Sequence, residues 1–144
     1  MNIGSDSWQP NQTQNAYNAA QELGTGFQLF LSLDFTAISC DLADVVSVVN
    51  QFSNHPSQLK INGQVFVSSF QGECLGSSGW KSLQSQTNAY TMPFISGLEG
   101  QFNNWNFNSW LWYAILTSSF CFVLICSTFQ AGVVHGHKGT TIKR

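Results

Sequence analysis

The chain has 144 residues, enough for one buried core, and only 8 % of them are charged, with seven acids against five bases and a net charge of −2. Between Met1 and Trp80 the single cation is Lys60, so no basic footprint for nucleic acid exists there and no nucleic-acid partner is expected. The opening residues MNIGSDSWQ carry neither a basic n-region nor an apolar h-region, so no signal peptide is read there.

In chain order, Asn2–Gly4 reads as the tail of a strand that runs into a loop carrying Asp6 and Trp8. Pro10 and Asn11 open a helix whose stripe is Ala16, Ala19, Ala20 and Leu23, with Gly24 as its stop. Next comes FQLFLSLDF, Phe27–Phe35, an apolar run bounded by glycines that reads as a buried strand. Phe27, Leu29, Leu31 and Leu33 share one face, expected to pack on helices. Gln28, Phe30, Ser32 and Asp34 share the other, expected to look into a barrel or crevice. Asp34 at its end is either a loop cap or an active-site acid, since α/β folds place their chemistry at strand C-termini.

Asp41 is the expected N-cap of a second helix, with Asp44 in its first turn and Leu42, Val45, Val46, Val49 and Phe52 as its buried stripe. His55-Pro56 ends it, and Asn62-Gly63 makes a tight turn. VFVSSF, Val65–Phe70, is a second buried strand, followed by a loop and a helix near Trp80–Asn88. Met92–Ile95 is a third strand, running into Gly97–Phe102. A strand, loop, helix and strand returning about every 30 residues is the rhythm of a parallel sheet.

The acids divide unevenly over this pattern. Asp6, Asp34, Glu73 and Glu99 fall just after strands, whereas Glu22, Asp41 and Asp44 belong to helices. A rim of carboxylates at strand C-termini is what a barrel glycosidase requires, although loops favour polar residues in any case. Fourteen per cent aromatic residues, with abundant Asn, Gln and Ser, suit contact with sugars through flat rings and amide hydrogen bonds. No Gly-x-Ser-x-Gly, phosphate loop or dinucleotide fingerprint occurs.

Cys40 and Cys74 lie in loops after two candidate strands, at one rim of the sheet, where they can bridge in an oxidising compartment. Cys121 and Cys126 lie inside an apolar run. That run, Trp110–Phe129, is twenty residues without a charge, with Trp and Tyr at its start and His135, His137, Lys138, Lys143 and Arg144 beyond its end, as in a membrane segment with a basic flank. His135 and His137 lack a third ligand, so no metal and no cofactor are expected.

NIGSDSW, GFQLFLSLDF, SCDLADVVSVVNQF, NGQVFVSSFQGE, WKSL and MPFISGLEGQF, in this order over roughly residues 1–110, resemble the fungal α-1,3-glucanases (mutanases) of glycoside hydrolase family 71. The resemblance implies a fragment of a (β/α)8 TIM-type barrel, about strands 2 to 5, in an α/β chain related to enzymes that hydrolyse α-1,3-glucan. It matches Asp34 to an active-site aspartate in a supporting role, and Asp6, Trp8, Glu73 and Glu99 to substrate-binding positions. The family's downstream Trp-Asn-Asp-x-Gly-Glu pattern, with the acid and base, has no counterpart here, and no Asp-x-x-Glu occurs. The chain is therefore expected to be inactive alone.

Residues 1–109 are read as the partial barrel, 110–130 as a translated intron or membrane-like helix, and 131–144 as an out-of-frame tail. Shifted by two bases, the tail permits Trp-Gly-Cys-Ala-Trp-Pro-Gln-Gly-Asn-His-Asp-Lys, which resembles the family's continuation. The alternative is a non-catalytic, membrane-tethered carbohydrate-binding remnant. The family is extracellular or cell-wall bound; a membrane partner follows only if 110–129 is a helix. Nothing in the residues specifies an oligomeric state.

Overall fold

The computed structural model describes residues 1–98, 101–105, 107–113 and 123–126. Four parallel strands form its sheet in the order β1 (Asn2–Ile3), β2 (Leu31–Asp34), β4 (Gln64–Phe70) and β5 (Ala89–Phe94). A short β3 (Lys60–Ile61) returns antiparallel through the Asn62-Gly63 turn onto the start of β4. Both turn residues have positive φ, which Asn and Gly adopt with little strain.

Helices α1 (Gln9–Glu22), α2 (Leu42–Ser53) and α3 (Gly76–Thr87) connect the parallel strands. Their buried residues Tyr17, Val45, Val49, Phe52, Trp80 and Leu83 join Leu31, Leu33, Val65, Val67 and Ala89 in one core. Alternate strand residues therefore face the helices, as period-2 geometry requires. The mixed α/β architecture with a parallel sheet is the one expected from the sequence.

α2 forms as its sequence predicts. Asp41 Oδ1 accepts from Ala43 N at 2.8 Å and Asp44 N at 3.3 Å, satisfying two N–H groups that the first turn leaves unpaired. Val45, Val49 and Phe52 are buried, with Leu42 and Val46 packed beside them. α1 is different: its buried residues are Thr13, Tyr17 and Ala20, while Ala19 is exposed and Leu23 is 72 % exposed. Tyr17 stacks on Phe52 with ring centroids 4.6 Å apart, so an aromatic anchor, rather than the alanine stripe, docks α1 on α2. Its hydroxyl donates to Gln58 Oε1 at 2.7 Å, and Gln58 Nε2 donates to the carbonyls of Leu59 and Phe66. That network lets two buried polar side chains sit in the core.

The strand expected from Phe27 begins only at Leu31. β3 and the residues before it occupy the β2-side edge of early β4, so Leu29 pairs with Gln58 and the Leu59 N–H instead, and Phe27 is left 62 % exposed. α3 starts four residues before Trp80, and β5 starts before Met92 and ends at Phe94, leaving Ile95 buried just beyond it. Pro93 lies where its missing N–H costs no bond to β4. The backbone of Thr91, two residues earlier, faces Asn108 and Ser109 instead.

The run over 110–129, expected as a translated intron or membrane-like helix, lies partly outside the described residues. Its described parts are strands β6 (Trp110–Tyr113) and β7 (Val123–Cys126), paired antiparallel from Trp110↔Cys126 to Tyr113↔Val123. Aromatic and β-branched residues favour that pairing over helix. Among the described residues, no helix is long and apolar enough to cross a membrane. The tail from 131 onward, with His135 and His137, lies outside the described residues.

Candidate active site

Parallel strands end at a common rim, so the fold gathers the residues after β1, β2, β4 and β5. The register places Asp34, Phe70 and Phe94 in one row across the last rung of β2, β4 and β5. This row lies on the face opposite the helices, because Leu31, Leu33, Val65 and Val67 at the alternate positions fill the core. Bonds from Phe35 N to Phe70 O and from Gln71 N to Phe94 O, at 3.0 and 2.7 Å, extend the ladder one step beyond the row.

Asp34 takes one of the two positions that its sequence left open, that of a loop cap. Its Oδ1 accepts from Thr36 N at 3.1 Å and Thr36 Oγ1 at 2.5 Å, and its carbonyl accepts from Ala37 and Ile38. It thus caps the loop after β2. Among the described residues its Oδ2 has no partner.

The other expected residues contribute unequally. Glu73 opens the 3-10 turn Glu73–Leu75 after β4, and its Oε2 bends back to accept from Gly72 N at 3.1 Å. Asp6 and Trp8 are exposed in the loop after β1, Trp8 by 58 %. Asp6 uses its carbonyl to accept from Gln9 N at the start of α1. β1 pairs only with β2 in the parallel sheet, so these two stand on the far side of Asp34 from Phe70. Glu99 lies outside the described residues.

The loops that carry Asp34 and Glu73 are fastened together twice. A Cys40–Cys74 disulfide joins them, with Cα atoms 6.0 Å apart, as the shared rim position of the two cysteines allows. Beneath it, Gly72 is wedged between Phe35 and Trp80, and Trp80 Nε1 donates to Gly72 O at 2.9 Å. At its φ of 122°, a Cβ on Gly72 would meet both rings at 2.8 Å, so only glycine fits there.

Three rim residues went unread in the sequence. Gln71 has φ 60°, and its Oε1 accepts from Ser96 N at 3.1 Å, tying the end of β4 to the residues after β5. Phe70 and Phe94 stack at 5.8 Å with an 18° interplanar angle. Their sign was present in VFVSSF, whose Phe66, Ser68 and Phe70 share a face with Asp34 once β2 and β4 are aligned.

A cleft of about 330 Å³ lies beside the rim, lined by Ile3, Gly4, Leu33, Ala37, Ile38 and Val45 among others. Its walls are mostly apolar, and neither Asp34 nor Glu73 lines it. Among the described residues, no three His, Cys, Asp or Glu side chains are grouped to hold a metal ion. The rim can offer carboxylate, amide and aromatic surface to a polar ligand with flat apolar faces.

A glucan endo-1,3-alpha-glucosidase of Schizosaccharomyces pombe is 42 % identical over 88 residues, which cover 57 % of this chain and 21 % of that protein. An ascus wall endo-1,3-alpha-glucanase of the same yeast is 38 % identical over 74 residues, covering 51 % and 17 %. A mutanase of Penicillium rubens is 30 % identical over 83 residues, covering 57 % and 18 %. The chain thus matches about a fifth of the length of these relatives. No solved structure matches it. The model of glycosyl hydrolase family 71 matches residues 1–114, and the chain belongs to that family.

Proposed function

We propose that this chain supplies one wall of an α-1,3-glucan-binding cleft, built on part of a (β/α)8 barrel, and holds glucan without hydrolysing it by itself. The observation that carries this reading is the position of Asp34. It ends a parallel strand, on the face away from the helices, inside the stretch matched by the family. The named relatives act on α-1,3-glucan, which supplies the substrate class.

Hydrolysis needs one carboxyl to protonate the leaving oxygen and another to serve as base or nucleophile across the scissile bond. Of the three described rim carboxylates, Asp34 is hydrogen-bonded to Thr36 and Glu73 to Gly72 within their own loops, while Asp6 is exposed in the loop after β1. Asp34 therefore orients a sugar hydroxyl or stabilises developing positive charge, while Asp6, Trp8, Glu73 and Glu99 serve as lining. The purified chain should sediment with insoluble α-1,3-glucan and release no reducing sugar above a blank. Sugar release that disappears in Asp34→Asn would overturn the non-hydrolytic part of this reading.

A further inference from the structure

The helix-free face of the sheet carries two aromatic rows that differ at one strand. In the lower row, Phe66 meets Phe30 on one side, edge to face at 4.8 Å, and Tyr90 on the other, stacked at 6.0 Å. Enclosed between two rings, Phe66 is 4 % exposed. In the upper row, Phe70 stacks on Phe94, but the β2 position holds Asp34 where the lower row has Phe30. Phe70 keeps 40 % of its surface exposed, and its register partner on β2 is Asp34.

We propose that Phe70 is the stacking platform for one glucosyl residue of α-1,3-glucan, with the neighbouring Asp34 carboxylate accepting one of its hydroxyls. This rests on the glucan-binding reading above and assigns it a subsite. A pyranose presents C–H bonds of slight positive charge on its faces, drawn to the negative face of an aromatic ring, and hydroxyl donors around its edge. Phe94 braces the phenyl ring from behind, so little side-chain freedom is lost on binding. The Asp34 oxygen not engaged by Thr36 accepts a hydroxyl from the ring's edge. Neither residue alone defines this site; the register that sets them side by side does.

The test measures depletion of the full chain from solution by increasing amounts of water-insoluble α-1,3-glucan. Phe70→Leu keeps apolar bulk and removes the ring, Phe70→Tyr keeps the ring, and Phe27→Ala removes an exposed aromatic at the opposite end of the strands. Phe70→Leu is expected to weaken binding about tenfold, with Phe70→Tyr and Phe27→Ala within about twofold of wild type. Wild-type affinity in Phe70→Leu overturns the platform and leaves the glucan-binding reading standing. Equal loss in Phe70→Tyr does the same, showing that the ring face is not what binds, whereas equal loss in Phe27→Ala shows unspecific adsorption and overturns both readings. A wild-type chain that does not bind α-1,3-glucan overturns both.

Discussion

The two faces of the sheet share strands and differ in nearly everything else. Toward the helices, Leu31, Leu33, Val49, Val67, Trp80 and Leu83 are fully enclosed. On the other side stand Ser32, Asp34, Ser68, Phe70 and Phe94, a mixture of hydroxyls, a carboxylate and rings. Because side chains alternate along a strand, each residue of β2 or β4 serves one face only. Stability and recognition can then be altered separately.

Trp80→Ala should have the largest effect. It removes a fully buried ring that contacts Phe35 and Phe107 and donates to Gly72 O. A loss of about 3–5 kcal/mol is expected in urea unfolding. A loss below about 1 kcal/mol would break the claim that this face carries the fold.

Tyr17→Phe should cost less, about 1–2 kcal/mol, because Gln58 Oε1 is then buried without its donor. Burial also pushes the Tyr17 phenol above its ordinary value. The unfolded chain releases that proton near the ordinary tyrosine value of about 10, while the folded chain still holds it. The stability Tyr17 contributes is thus complete below about pH 10 and lost as pH rises from there through the folded value. Wild type should therefore lose stability above about pH 10 more steeply than Tyr17→Phe, as read from urea midpoints over an alkaline series. Parallel slopes would remove Tyr17 from the buried network.

Local chemistry made α2, β4 and the Asn62-Gly63 turn legible in advance, since a cap, a stripe and a turn pair are all short-range. The docking of α1 was not legible. Tyr17 is buried because its hydroxyl finds Gln58, 41 residues away, and nothing near Tyr17 encodes that partner. The early part of FQLFLSLDF misled for a related reason: its apolar content suits a strand, but β3 had already taken the edge it needed.

The site divides in the same way. Asp34 could be picked out by its place at a strand end, and of its two readings the structure shows the loop cap. Glu73 has the right position in the chain, yet it turns back onto Gly72. Phe70 acquires meaning only through the register that sets it between Asp34 and Phe94, and register is a property of three strands together.

The separation of the two faces is tested most directly by a crossed pair of variants. Val49→Ala shaves the helix-side core and should lower stability by about 2 kcal/mol while leaving α-1,3-glucan depletion unchanged. Phe70→Leu should do the reverse, lowering glucan depletion with an unfolding midpoint close to wild type. If Phe70→Leu instead unfolds as readily as Val49→Ala and binds glucan as wild type does, the open face is structural and the account is wrong.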